Sequence, residues 1–212
     1  MKHLRRVAVM FAAAPSVYDG FAGVDVWNKT RDARRFPGGM PVVAHPPCAQ
    51  WGRLKAFAND DPAEKLLALF AVEQIRTWGG VLEHPFPSSL WTEANLPRPG
   101  VRDRIGGFTF PVHQTWFGHR ARKPTLLYIV GVEPFALPSL PYSMAEPSVV
   151  ISTSTKKGER LPALSGAHRA ATPPEMAKWL IAVARAVRIP TQTAQQQVAR
   201  AQFEDQVVEV AA

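Results

Sequence analysis

Short apolar runs punctuated by glycine and proline fill the first part of the chain. VAVMFA (7–12) and VDVWN (24–28) each read as a strand. PVVAHP (41–46) reads as a third, rich in β-branched residues and bounded by Gly38-Gly39 and Pro46-Pro47. The period then changes. From Pro62 to Trp78 the apolar Leu66, Leu67, Phe70, Ile75 and Trp78 fall broadly on one helical face, with Glu64, Lys65, Glu73 and Arg76 mostly outside it. Asp60 or Asp61 suits the cap of that helix, Pro62 its first turn, and Gly79-Gly80 its stop. VLEHP (81–85) resumes as a fourth strand, and strand, helix, strand predicts a right-handed crossover between parallel strands.

The second half is less regular. Residues 97–125 are rich in proline, glycine and basic groups, which predicts a long functional loop region. TLLYIVG (125–131) is a further strand, SVVIST (148–153) a candidate one, and KKGER (156–160) a basic turn. PEMAKWLIAVARAV (174–187) has the pattern of an amphipathic helix opened by Thr172 and Pro173-Pro174. Beyond Pro190 the chain is polar and rich in Gln and Ala, a loosely attached tail. The pattern predicts one α/β domain over residues 1–188, with a mostly parallel sheet and helices on both of its faces, followed by a tail, 189–212.

Composition sharpens this reading. Hydrophobic residues make up 46% of the chain, enough for a true core. One cysteine excludes an intrachain disulfide and suits a reducing, cytoplasmic setting. No apolar run approaches the roughly 18 residues that span a bilayer, so no membrane partner is expected. The start MKHLRRVAVMFAAA has the look of a short signal peptide, but a buried first strand explains the same letters. The charge is more telling. Lys and Arg number 25 and Asp and Glu 17, a net +8. The tail carries Arg200 against Glu204, Asp205 and Glu209, which is −2, so residues 1–188 carry +10. A domain this basic points to a polyanion, and DNA is the expected partner.

The single cysteine, Cys48, follows the third strand in HPPCAQWG, and Glu83 stands near the end of the fourth. The carboxyl ends of parallel strands are where α/β proteins bind ligands, and the crossover makes these two strands neighbours. Taken singly, a buried thiol is usually packing and a strand-end glutamate a solvated charge. Together, on loops stiffened by Pro46-Pro47 and Pro85, they form a nucleophile and acid suited to an electron-poor ring.

HPPC (45–48), GVLEHP (80–85) and FGHRARKPT (117–125) resemble successive motifs of the cytosine-5 DNA methyltransferases, most closely short phage-encoded forms. The resemblance covers about residues 41–131, with HRAATPPEMAKWL (168–180) a faint match to the closing motif. It implies a reduced Rossmann-like methyltransferase core. It also implies Cys48 as the nucleophile that adds to carbon 6 of a flipped cytosine, and Glu83 as the acid at ring nitrogen 3. Arg122 is then the arginine that fixes the base, with Arg120 its rival. The implied cofactor is S-adenosylmethionine, with Phe11 and Asp25 the candidate contacts. Here the chain departs from the family, because MFAAAPSVYDGF lacks the expected glycine-rich loop and His84 stands where Asn is usual.

His45 and Pro47 border the nucleophile, and a protonated His45 would lower the pKa of Cys48. Arg102 and Arg104 in RPGVRDR, with Arg120 and Lys123 in HRARK, flank Trp116 and Phe117 and suit phosphate contact and base stacking. His45, Cys48, His84, His113 and His119 show no paired-ligand spacing, so no metal is expected. Three functions follow: base modification through a Cys48 adduct, a DNA-binding or decoy module on a degenerate fold, or a nucleotide-level enzyme using Cys48. So little DNA-reading surface also suits a homodimer or a phage or host protein partner.

Overall fold

The computed structural model describes residues 4–52, 62–151, 162, 164 and 166–188. The Asp60/Asp61 cap, the end of SVVIST, the basic turn at 156–160 and the tail 189–212 lie outside those residues. The strands are β1 (Val7–Ala12), β2 (Val24–Asn28), β3 (Val42–Ala44), β4 (Gly80–Pro85), β5 (Phe108–His113) and β6 (Pro124–Val130). The helices are α1 (Pro62–Trp78), α2 (Leu90–Glu93), α3 (Gly166–Ala170) and α4 (Pro174–Arg185).

The six strands form one sheet in the order β2-β1-β3-β4-β6-β5. β1 pairs in parallel with β2 and β3, and β3 with β4, while β6 runs antiparallel to both β4 and β5. The sheet is thus mixed and mostly parallel. Side chains alternate across a strand, and the core divides accordingly. Val7, Val9, Val43, Val81, Leu127 and Ile129 cluster with Met176, Leu180, Ile181 and Ala184 of α4. Ala8, Met10, Val42, Ala44, Leu82 and Tyr128 cluster with Ala68, Ala71, Val72 and Ile75 of α1.

Three local expectations are corrected. Residues 97–125 are not one long loop, because they contain β5. That strand escapes a pattern reading because Pro111 interrupts it, and Pro111 is tolerated because β5 is the sheet edge, where a missing N–H breaks no ladder. The buried face of α1 is small, at 68, 71, 72 and 75, while Leu66 stands 62% exposed. Along 148–151 the described pairing is a bridge from Val149 to Ala121, while the Val150 N–H donates to the Pro162 carbonyl at 3.0 Å and the Val150 carbonyl accepts from Leu164 at 2.9 Å.

β1 and β2 are joined by residues 13–23 without a helix, and Tyr18 in that connection is buried. Among the described residues no helix is long and apolar enough to cross a membrane.

Candidate functional site

β1 connects to β2 on one side of the sheet, while β3 lies on its other side, so the order of strands reverses between β1 and β3. Ligands of open α/β sheets bind beyond the carboxyl ends at that switch point. Here a cleft of about 660 Å³ opens there, within the range of small-molecule sites. β1 contributes Phe11 and Ala12, the β1–β2 connection Tyr18, and the loop after β3 His45, Pro46, Pro47 and Cys48. β4 contributes Glu83, the start of β6 is preceded by Lys123, and residues 169–172 close the wall before α4.

Local geometry explains how each group arrives. β3 and β4 pair Ala44 with Leu82, so the next step along each strand sets His45 beside Glu83. His45 Nδ1 lies 3.1 Å from Glu83 Oε2, and its Nε2 lies 2.7 Å from the Tyr18 hydroxyl. Burial, then the Glu83 charge, raises the Tyr18 pKa well above its usual value, so the hydroxyl keeps its proton. The two His45 ring nitrogens are thus divided between the Tyr18 hydroxyl and the Glu83 carboxylate. The other Glu83 oxygen accepts from Gln114 Nε2 at 3.0 Å, and the same nitrogen lies 3.0 Å from Thr125 Oγ1. Burial pushes the Glu83 carboxyl upward, but the hydrogen bond and charge of His45, with Lys123 and His84, outweigh it and hold the pKa down to about 2. In the free protein Glu83 is a carboxylate.

Cys48 caps a short 3₁₀ turn, Ala49–Trp51, with φ −111° and ψ −2°, in the sparsely allowed bridge region where many active-site residues sit. Trp51 anchors that turn: it is buried, its N–H donates to the Cys48 carbonyl at 3.1 Å, and its carbonyl accepts from Ser89 at 3.0 Å. Cys48 is an exposed residue on the cleft lining, and its thiol is partly shielded by the wall. Burial by the cleft wall and the Glu83 charge raise its pKa, against the opposing pull of Lys123. His45 does not lower it, since both ring nitrogens face Tyr18 and Glu83.

The remaining candidates separate. Pro47, Phe11 and Lys123 line the cleft with Cys48 and Glu83. Phe11 holds a left-handed φ of 60° where the β1–β2 register shifts, a strained conformation of the kind that clusters at functional sites. Asp25 does not reach the cleft; Arg31 holds it at 2.6 Å, with Arg6 at 3.7 Å. Arg122 lines a second hollow instead. Arg102 is paired with Glu133 at 2.5 Å, and Arg120 Nε donates to Ser148 Oγ at 3.3 Å. Arg104 does not line either hollow.

Sequence reasoning missed Tyr18 and Gln114. Gln114 had a weak signal, one amide inside the apolar run FTFPVHQTWF; Tyr18 had none, because its role depends on how the connection folds back over β3. Among the described residues no group of three or more His, Cys, Asp or Glu is placed to hold a metal ion.

The arrangement offers a nucleophilic thiol, a fixed carboxylate and a cation around one cavity. It does not fit S-adenosylmethionine on the candidates named for it, because Asp25 is engaged by two arginines and the loop after β1 turns Tyr18, not a glycine backbone, toward the cleft. No protein-family model, no curated protein and no solved structure matches the chain.

Proposed function

We propose that the protein modifies a nucleic-acid base by cytosine-5 methyltransferase-type chemistry, through a covalent adduct of Cys48 with a cytosine of DNA. The observation that carries this reading is the meeting of Cys48, Glu83 and Lys123 at one cleft over the switch point of the sheet. The separation of α1 and α4 between the two apolar clusters supports a reduced doubly wound core, as the resemblance implies.

The resting state is a thiol beside a carboxylate, and the chemistry starts from it. Glu83 accepts the Cys48 proton while sulfur bonds to ring carbon 6. The carbon 5–carbon 6 electron pair becomes the carbon 4–carbon 5 bond, and the carbon 4–nitrogen 3 pair takes the proton from Glu83. Proton and electrons balance, and Glu83 returns to carboxylate. His45 and Gln114 hold its two oxygens during the exchange. Carbon 5 of the adduct is now nucleophilic, and with no other electrophile it takes a proton from water. The hydroxide so formed takes the original carbon 5 hydrogen, and the first step then reverses. Nitrogen 3 returns its proton to Glu83, and the carbon 6–sulfur bond breaks as the carbon 5–carbon 6 double bond re-forms. Cys48 recovers the proton from Glu83, leaving cytosine with its carbon 5 hydrogen exchanged.

That exchange is the test, because it needs no cofactor. DNA carrying tritium at carbon 5 of cytosine should release label with the parent protein and none with Cys48→Ser. Glu83→Gln should slow release by on the order of 10²-fold or more. A second reading, a DNA-binding module without chemistry, is favoured by the raised thiol pKa. DNA binding with no tritium release would establish that reading and reject the first.

A further inference from the structure

We infer that the second hollow is a base-stacking site, and that the nucleic acid this protein takes is single-stranded. The inference rests on the nucleic-acid reading above and names its substrate class. The hollow measures about 350 Å³ and is lined by His113, Trp116, Arg122, Tyr142 and Glu146, among others. Trp116 and Tyr142 stack at 4.9 Å and 22°, and His113 lies 5.6 Å from Trp116. Tyr142 is 60% exposed, so the stack ends in an open ring face. Arg122 has no hydrogen bond or ion pair among the described residues, in contrast to Arg102, which is tied to Glu133. An open aromatic face beside an unengaged guanidinium is what holds an unpaired base and its phosphate.

Its position relative to the cleft identifies the strand. Adjacent residues in extended chain point to opposite sides. At the end of the β5–β6 pair this happens twice: Lys123 lines the cleft and Arg122 the hollow, while Gln114 reaches Glu83 and His113 lines the hollow. The Gln114 N–H donates to the Lys123 carbonyl at 3.2 Å, fixing the two pairs together. The cleft and the hollow therefore stand back to back on one strand end, with adjacent Cα atoms about 3.8 Å apart between them. A strand crossing that end offers one base to each side. A duplex would have to unpair and unstack two bases at once, whereas a single strand has no pairs to break and only its own weaker stacking to give up. The net +10 of residues 1–188 suits the phosphates of either.

The experiment is a fluorescence-anisotropy titration with a short deoxyoligonucleotide containing one cytosine, as a single strand, as a duplex, and with an abasic residue at each neighbour of the cytosine in turn. The parent should bind the single strand more tightly than the duplex. One abasic neighbour should weaken single-strand binding on the order of 10-fold. Tyr142→Ala should weaken the intact strand similarly and become indifferent to that abasic residue, and Arg122→Ala should reduce the salt slope by about 0.7. Abasic effects of equal size in parent and Tyr142→Ala overturn the stacking site, and tighter duplex binding overturns the single-strand preference. Either result leaves the Cys48 chemistry standing if tritium release persists. A parent that binds no oligonucleotide overturns both readings.

Discussion

A carboxylate set into a protein wall is stable only when its lone pairs are filled, and Glu83 has His45 on one oxygen and Gln114 on the other. That arrangement sets the reactivity of Cys48, whose thiol is raised by burial and by Glu83 and lowered by Lys123. Because Cys48 is the one cysteine, alkylation by iodoacetamide reports it without ambiguity. At fixed neutral pH, Glu83→Gln should speed alkylation and Lys123→Ala should slow it; equal rates in both variants would remove electrostatic control of the thiol. Acid stability provides a second prediction. Glu83 titrates at about 2 when folded against 4.5 as a free side chain, so its contribution is present above about 4.5 and is lost as pH falls toward 2. His84 is buried with no well-formed hydrogen bond at either ring nitrogen, and burial lowers its pKa from 6.5 to about 4 against the opposing Glu83 charge and a weaker pull from the Pro47 backbone. Unfolding lets it take up a proton between those values, so stability falls as pH drops from 6.5 to 4. His84→Leu should flatten that window in urea midpoints while Glu83→Gln should flatten only the lower one. His84→Leu should also leave neutral-pH stability equal or higher, because a buried polar ring without well-formed hydrogen bonds disappears. At this scale the sequence was legible in position, since Cys48 and Glu83, read as neighbours at strand ends, line one cleft. It was silent on Tyr18, and on the pairing of His45 with Glu83, because those contacts are fixed by register between distant segments.

Among elements, the boundaries written in glycine and proline were the readable ones. α1 ends where Gly79-Gly80 was expected to stop it, and the reason is geometric. Gly80 has φ +130°, and a Cβ there would stand 1.9 Å from the Val42 carbonyl oxygen, inside the β3–β4 pairing that aligns His45 with Glu83. Neither backbone can yield without opening the ladder. Gly80→Ala should therefore cost at least about 3 kcal/mol, at the severe end for a single substitution. Gly100→Ala has the same backbone sign but open space around it, and should cost only about 1 kcal/mol. Thermal or urea unfolding of the two variants checks the contrast, and equal losses would reject the close-approach argument. β5 was illegible for the opposite reason. An edge strand needs neither a clean alternation nor an uninterrupted set of N–H donors, so Gly106, Gly107 and Pro111 gave it the look of a loop. Gln114 went with it, since its place beside Glu83 exists only once β5 pairs with β6.

Over the whole molecule, the sheet and the charge converge on one place. The strand order reverses at the cleft, and the basic groups expected to meet phosphate divide into those already held within the protein and those left open. Arg102 belongs to the first kind, gripped by Glu133 at 2.5 and 3.2 Å. Lys123 belongs to the second: it lines the cleft and acts on Glu83 and Cys48 only through its charge. Counterion release depends on cations that meet phosphate, not on net charge alone. The affinity for a single-stranded oligonucleotide should fall linearly, on logarithmic axes, with salt. Lys123→Ala should reduce that slope by about 0.7, the increment for one phosphate contact on a single strand. Arg102→Ala should leave the slope close to that of the parent, because its guanidinium neutralises a carboxylate and not a phosphate. A slope that drops equally in both variants would mean that net charge, and not the placement of open cations around the cleft, governs the encounter.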